Sequence, residues 1–174
     1  MQPEPLNIPV PEQKDTSKRN RRWAFVAAGC GCLLVLIPLC AAIAIPAFIS
    51  YVKRSKAVEA PAELRSLATT ISSRCQAGED LSGLRAGPLP AAPGSIQSIP
   101  VWQADPGFAR IGWQASSLVR YSYQIEPAAH DPAQLTLRAQ GDLDDDGVLS
   151  TYSLACDLRN CACATAPQIT NELE

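Results

Sequence analysis

The sequence is poor in the residues that carry acid–base and nucleophilic chemistry. Its one histidine, His130, lies in the turn-like stretch EPAAHDPAQ with no nucleophile beside it. The formal net charge is only −2, and this total does not suggest a nucleic-acid-binding protein. We therefore expect a protein that is not an enzyme and does not bind nucleic acid.

Charge is also missing from one long segment, because no charged residue occurs between Arg22 and Lys53. As a helix, these 30 residues would be about 45 Å long, more than the hydrocarbon core of a bilayer, about 30 Å thick. A buried core helix is the alternative, but the rest of the chain is too small to surround one. The segment predicts a single transmembrane helix over residues 23–52, in contact with membrane lipid.

The flanks of this segment differ in composition. Residues 1–22 contain four prolines and little apolar surface, which predicts a disordered leader. Five basic side chains lie within nine residues of the span on this side, and they favour a cytoplasmic N-terminus. Beyond Ala57 the chain carries seven Arg against fourteen Asp or Glu. The later part is therefore an acidic head outside the cytoplasm.

Helical periodicity continues after the span. Residues 53–77 are predicted as an amphipathic continuation of the helix. Its apolar stripe consists of Val58, Ala62, Leu64, Leu67, Ala68 and Ile71. Its charged side consists of Lys56, Glu59, Glu63, Arg65 and Arg74. Kinks are expected at Pro38, Pro46 and Pro61, because proline removes a backbone donor from the helix.

The remaining residues are predicted to form a loop followed by a sheet. Residues 78–109 are rich in proline and lack periodicity, which predicts a loop. Residues 110–174 form the head. Alternation with a period of two in SLVRYSYQIE and AQLTLRAQ indicates strands. VLSTYSLAC is a third strand and FARIGWQ a candidate fourth. The fold class is therefore α+β, with the amphipathic helix covering a small antiparallel sheet.

Two stretches resemble type IV pilins and pseudopilins. AAIAIPAFISYVKRSK, residues 41–56, is similar to the pilin N-terminal helix motif of an apolar run, a proline, an aromatic residue and a basic cluster. GDLDDDGVLSTY, residues 141–152, resembles a segment in the head of some pilin-like proteins. The resemblance implies a pilin-like fold and a structural role. It also implies a bacterial inner-membrane location with the head in the periplasm, or in an extracellular pilus after assembly.

The resemblance further implies processing and assembly partners. Alignment on Pro46 puts the candidate cleavage site of a prepilin peptidase between Ala24 and Phe25. The family usually has Gly in the first of these positions. It also has a Glu five residues into the mature chain, where this sequence has Gly29. Other pilin or pseudopilin subunits are the implied partners, packed along the apolar helix.

A candidate calcium site lies in DLDDDG. Asp142, Asp144 and Asp146 alternate before Gly147, as carboxylates do at the start of a calcium loop. Position twelve of such a loop is usually a bidentate Glu, whereas here it is Ser153. The alternative is an acidic hairpin connection between the second and third strands.

The seven cysteines form two groups. Cys30, Cys32 and Cys40 lie within the predicted span. Cys75, Cys156, Cys161 and Cys163 lie beyond it and should oxidise outside the cytoplasm. A Cys161–Cys163 bridge would be strained, so Cys75 is expected to pair with one of these two and Cys156 with the other. A zinc site is the alternative, although the spacing lacks a C-x-x-C knuckle.

Two functions are compatible with these observations. The first is a pilin-like structural subunit, either major or minor, of a type IV pilus or a type II secretion pseudopilus. The second is an uncleaved single-pass membrane protein whose head is a binding module. The motif at residues 41–56 favours the first, whereas Ala24 and Gly29 favour the second.

Overall fold

The first element of the structure is a long helix, α1 (Thr16–Ala57). The computed structural model describes residues 16–94, 98–116 and 118–172, with side chains from Leu36 onward. Residues 16–22, predicted to be disordered, are helical, because extending an existing helix costs far less than starting one. The rest of the predicted leader lies outside the described residues.

Helix α1 has the composition of a membrane span. Its large apolar side chains are exposed from Leu36 to Tyr51, and Ile43 and Tyr51 are each 70% exposed. Within the part of the chain that the structure describes, one helical segment, Leu36–Gln76, is long and apolar enough to cross a membrane. The chain divides into two units, Met1–Ala47 and Phe48–Glu174.

The three prolines that were expected to kink the helix behave differently. Helix α1 continues through Pro38 and Pro46 without interruption. A break of one residue at Val58 separates α1 from α2 (Glu59–Gln76). Pro61 explains this break, because it cannot donate to the carbonyl of Ala57 and its ring crowds that oxygen. In the first turn of α2 the missing donor costs no hydrogen bond.

Helix α2 has one buried face, which differs in part from the predicted stripe. Its buried residues are Ala60, Glu63, Leu64, Leu67, Ala68 and Ile71. Val58 and Ala62 were expected on this face but are exposed, since Val58 occupies the break and Ala62 lies on the opposite side of α2. Glu63 was expected in solvent but is buried, because its carboxylate has partners in the head.

Within its described residues, the head contains a six-stranded antiparallel sheet. Its strands are β1 (Ala86–Leu89), β2 (Ser122–Ala128), β3 (Asp131–Gly141), β4 (Ser150–Asp157), β5 (Ala162–Cys163) and β6 (Gln168–Thr170). The first five are adjacent in that order, and β6 also pairs with β4. The three strands predicted by alternation correspond to β2, β3 and β4.

The core lies between α2 and one face of the sheet. The inward residues alternate along the strands as period-two patterning requires, and include Tyr123, Ile125, Leu135, Leu137 and Leu154. Trp102 and Trp113 extend the core, with ring centroids 4.9 Å apart. Helix α2 therefore covers the sheet as the sequence predicts.

The prediction of a fourth strand at FARIGWQ is wrong. Its first four residues lie in helix α3 (Pro106–Ile111). The Asp105 side chain caps this helix by accepting hydrogen bonds from the N–H groups of Gly107 and Phe108. Pro106 suits the first position, and Gly112 ends the helix with φ 65°. These capping residues outweigh the weak alternation that suggested a strand.

The predicted loop, residues 78–109, also contains regular structure. It includes β1, the start of α3 and a 3₁₀ turn at Trp102–Ala104. Strand β1 contains Pro88 and is followed by Pro90, which is tolerated because β1 lies at the edge of the sheet and its pairing with β2 is irregular between Ala86 and Leu89. Gly87 is required there, since a Cβ would lie 2.2 Å from the Tyr123 carbonyl oxygen.

Candidate functional site

The acidic segment forms the loop between β3 and β4, residues 142–149. Its conformation is held by aspartate side chains that accept backbone hydrogen bonds. The Asp142 carboxylate accepts from the N–H groups of Asp146 and Gly147 at 3.2 and 3.0 Å. Asp146 accepts from the N–H of Val148 at 2.7 Å. Gly147 has φ 87°, so the turn requires the freedom of glycine.

The three predicted metal ligands come together in this loop. One carboxylate oxygen each from Asp142, Asp144 and Asp146 lies within 4.8 Å of the others. Ligand oxygens about 2.3–2.6 Å from a calcium ion would have separations of this size. Ser153 is in β4, opposite Arg138, so the segment is not an EF-hand loop. The arrangement is a hairpin connection with three convergent carboxylates.

The loop contacts the end of α1 through two lysines. Lys53 Nζ lies 2.7 Å from a carboxylate oxygen of Asp144. Lys56 Nζ donates to the carbonyl oxygen of Leu143 at 3.3 Å. Leu143 itself is buried in the core. The Lys53 ammonium offsets part of the repulsion among the aspartates, and the two contacts together fix the loop beside the basic cluster that follows the apolar segment.

Two glutamates of α2 accept hydrogen bonds from the segment that leads into β2. Glu59 Oε1 accepts from the backbone N–H groups of Arg120 and Tyr121 at 2.8 and 3.2 Å. Glu63 Oε1 accepts from the N–H and the hydroxyl of Ser116. The sequence predicted both glutamates on the charged side of this helix, facing solvent. Their spacing of four residues, next to Ala60 and Leu64, was the signal that they share a face with the apolar stripe.

Burial of the tyrosines beside these glutamates affects their ionisation. The pKa of Tyr123 is raised, first because burial penalises the phenolate and second because the Glu59 and Glu63 charges oppose it. The pKa of Tyr121 is also raised, mainly by burial. Both side chains are therefore neutral hydrogen-bonding groups at physiological pH.

The four cysteines of the head form two disulfides. Cys75 at the end of α2 is bonded to Cys161, and Cys156 is bonded to Cys163. This selects one of the two pairings left open by the sequence. Cys156 and Cys163 are directly opposed in the β4–β5 pair. The bridges use all four thiols that the zinc alternative required.

The remaining residues singled out in the sequence lie in α1 and in the β2–β3 hairpin. Ala24, Phe25 and Gly29 are within α1, but their side chains lie outside the described residues, as do those of Cys30 and Cys32. Cys40 is an exposed free cysteine. His130 is exposed at the tip of the β2–β3 hairpin.

A second apolar surface was not predicted from the sequence. A groove of 460 Å³ is lined by Ile99, Val101, Trp102 and Leu118, with Gln103 and Gln114 among its polar residues. Ile99 is 80% exposed and Val101 is 70% exposed. Neighbouring exposed apolar side chains of this kind are typical of a binding surface.

Comparisons with protein-family models, with curated proteins and with solved structures find no significant match to this chain.

Proposed function

We propose that this chain is a pilin-like structural subunit of a type IV pilus or a type II secretion pseudopilus. Its N-terminal helix anchors it in the bacterial inner membrane, with the N-terminus in the cytoplasm and the head in the periplasm. Its role is structural and not catalytic. The observation that carries this proposal is a long exposed apolar helix followed, after one residue, by a helix that covers an antiparallel sheet.

The described part of α1 supports both membrane storage and assembly. Its exposed apolar side chains suit lipid, and the same side chains suit the helices of neighbouring pilin or pseudopilin subunits. The same apolar side chains of α1 could therefore contact lipid before assembly and neighbouring helices after it. Assembly would carry the head from the periplasm into a filament.

The head has properties expected outside the cytoplasm. Disulfides persist in oxidising compartments, of which the periplasm is one. The Asp142, Asp144 and Asp146 cluster is proposed to bind calcium, which would remove the repulsion among these carboxylates. These features agree with an external head and do not rely on the exposed apolar surface of α1.

The proposal is tested by the mature N-terminus. Mass spectrometry of the protein from native membranes should find a chain beginning at Phe25, produced by prepilin peptidase. Substitution of Phe25 and Ala24 should then block both processing and recovery of the protein in sheared filaments. An intact N-terminal leader on all recovered protein would contradict assembly as a processed subunit.

An uncleaved membrane protein with a head that binds another molecule is the second candidate. The exposed groove around Ile99, Val101 and Leu118 favours it, because a subunit used only through its helix has no need of such a surface. Ala24 and Gly29, in place of the residues usual in pilins, also favour it. Intact leader together with loss of a bound partner in an Ile99→Ser, Val101→Ser variant would support this function over the first.

A further inference from the structure

A groove of 220 Å³ lies where the last turns of α1 meet the β3–β4 loop. Its apolar wall consists of Phe48, Ile49, Val52 and Leu143. The rest of its lining consists of Lys53, Lys56 and Asp144. The groove thus combines an apolar wall with two ammonium groups and one carboxylate.

The α1 residues of the apolar wall are themselves open to the surroundings. Phe48 is 66% exposed and Ile49 is 51% exposed. Val52 is the last residue of the charge-free segment. A span that ends at Val52 would put this groove at the level where hydrocarbon gives way to phospholipid head groups.

The two lysines do not have equivalent partners. Lys53 pairs with the Asp144 carboxylate at 2.7 Å. Lys56 donates to the Leu143 carbonyl at 3.3 Å, and a neutral carbonyl does not cancel the ammonium charge. An ammonium group has three donors, so Lys56 can bind an anion without giving up this contact.

We propose that this groove binds one anionic phospholipid of the surrounding bilayer. The lipid phosphate contacts Lys56, and the first acyl carbons pack against Phe48, Ile49 and Val52. Charge complementarity favours an anionic over a zwitterionic head group, and the apolar wall favours a lipid over a free phosphate. The inference depends on the membrane anchoring in the proposed function, but not on filament assembly.

Native mass spectrometry of the full-length chain in detergent micelles tests this site. Phosphatidylglycerol, phosphatidylcholine with the same acyl chains, and glycerol 3-phosphate are titrated separately. We expect one phosphatidylglycerol to bind more tightly than phosphatidylcholine, and glycerol 3-phosphate not to bind. Lys56→Gln should weaken phosphatidylglycerol binding about five-fold, the effect of one basic residue at a membrane surface.

Arg54→Gln is the matched control, because Arg54 carries the same charge and is exposed, but does not line the groove. It should retain the preference for phosphatidylglycerol. Equal affinity for the two lipids, or equal loss in both variants, would overturn the proposal. Binding of glycerol 3-phosphate without a lipid preference would also overturn it in favour of a free-phosphate site.

The outcomes separate this site from the proposed function. If the chain needs detergent but shows no lipid preference, the lipid site is contradicted and the membrane anchor is not. If the full-length chain is soluble and monomeric without detergent, both are contradicted. Failure to enter filaments, with lipid preference retained, contradicts the structural function alone.

Discussion

The carboxylate of Glu59 in α2 accepts a hydrogen bond from the hydroxyl of Tyr123 in β2, with the two oxygens 3.3 Å apart. The same Glu59 oxygen accepts from two backbone N–H groups at the approach to β2. Its second oxygen lies 3.6 Å from the guanidinium of Arg120. Helix α2 is therefore attached to the sheet by directed polar contacts as well as by apolar packing.

Replacement of Glu59 tests the importance of these contacts. Glu59→Ala should lower the free energy of unfolding by about 2–4 kcal/mol, because it leaves several donors without their acceptor. Glu59→Gln should cost less, since an amide oxygen can still accept. Denaturant unfolding of the detergent-solubilised chain, followed by tryptophan fluorescence, measures the change.

Glu79→Ala provides the control for this series. Glu79 pairs with Arg74 at 2.8 Å, but both side chains are well exposed. Its loss should cost about 0–1 kcal/mol, as for other surface ion pairs. Equal losses for Glu59→Ala and Glu79→Ala would contradict a special role for Glu59.

Alkaline pH should destabilise the head through Tyr123. The folded-state pKa is raised by burial and by the two nearby glutamates, so it lies above the unfolded value of about 10. The stabilisation from keeping Tyr123 neutral is complete below about pH 10 and is lost as the pH rises towards the folded pKa. The unfolding free energy, measured from neutral to strongly alkaline pH, should therefore decrease above about pH 10.

Tyr123→Phe should make that alkaline decline shallower, at the expense of some stability near neutral pH. Tyr51→Phe, in the exposed part of α1, should leave the profile of the head unchanged. A decline that is identical in the wild type and in Tyr123→Phe would mean that another group causes it.

The two disulfides should differ in their contributions to stability. Cys75 and Cys161 are 86 residues apart, whereas Cys156 and Cys163 are seven apart. Chain-entropy estimates give about 4–5 kcal/mol for the long closure and about 2 kcal/mol for the short one. Paired Cys→Ala variants, compared by denaturant unfolding in detergent, should show the larger loss for Cys75 with Cys161. The reverse order would show that entropy of the unfolded chain does not dominate.

Calcium binding by the β3–β4 loop predicts an ion-dependent melting temperature. Calcium at about ten times its Kd would stabilise the head by about 1.4 kcal/mol, which corresponds to a Tm increase of about 5 °C for a domain of this size. Chelation should reverse the increase. Asp142→Asn with Asp146→Asn should abolish it, and magnesium should not reproduce it, because Mg²⁺ retains its waters more strongly. A Tm that is unaffected by calcium and chelator would contradict the site.

The sequence predicts the elements whose periodicity is strong and misses those that depend on capping or tertiary partners. Alternation in β2, β3 and β4 is clear, because one face of each strand is buried. Helix α3 has only six residues, too few for a periodic signal. Its Asp105, Pro106 and Gly112 were nevertheless a readable pattern of cap, first turn and stop.

The candidate site shows the same division. The convergence of Asp142, Asp144 and Asp146 follows from local turn chemistry, so adjacent residues were enough to predict it. The contacts of Lys53 and Lys56 with the loop join residues about ninety positions apart. Glu63 is buried because Ser116 lies opposite it, which a helical pattern alone cannot reveal. Distant pairings of this kind require the fold.

The Cys75–Cys161 bridge also has a mechanical consequence. Tension applied between α1 and the C-terminal tail would travel through the end of α2, across the sulfur–sulfur bond and into the tail. The stretch between the bridged cysteines, which are 86 residues apart, would lie outside this path. Force spectroscopy should release about 300 Å of additional contour length from this stretch only after reduction. In a tethered head of this design, strands β1 to β4 would lie outside the covalent path of the load, whereas β5 and β6, which follow Cys161, would lie on it.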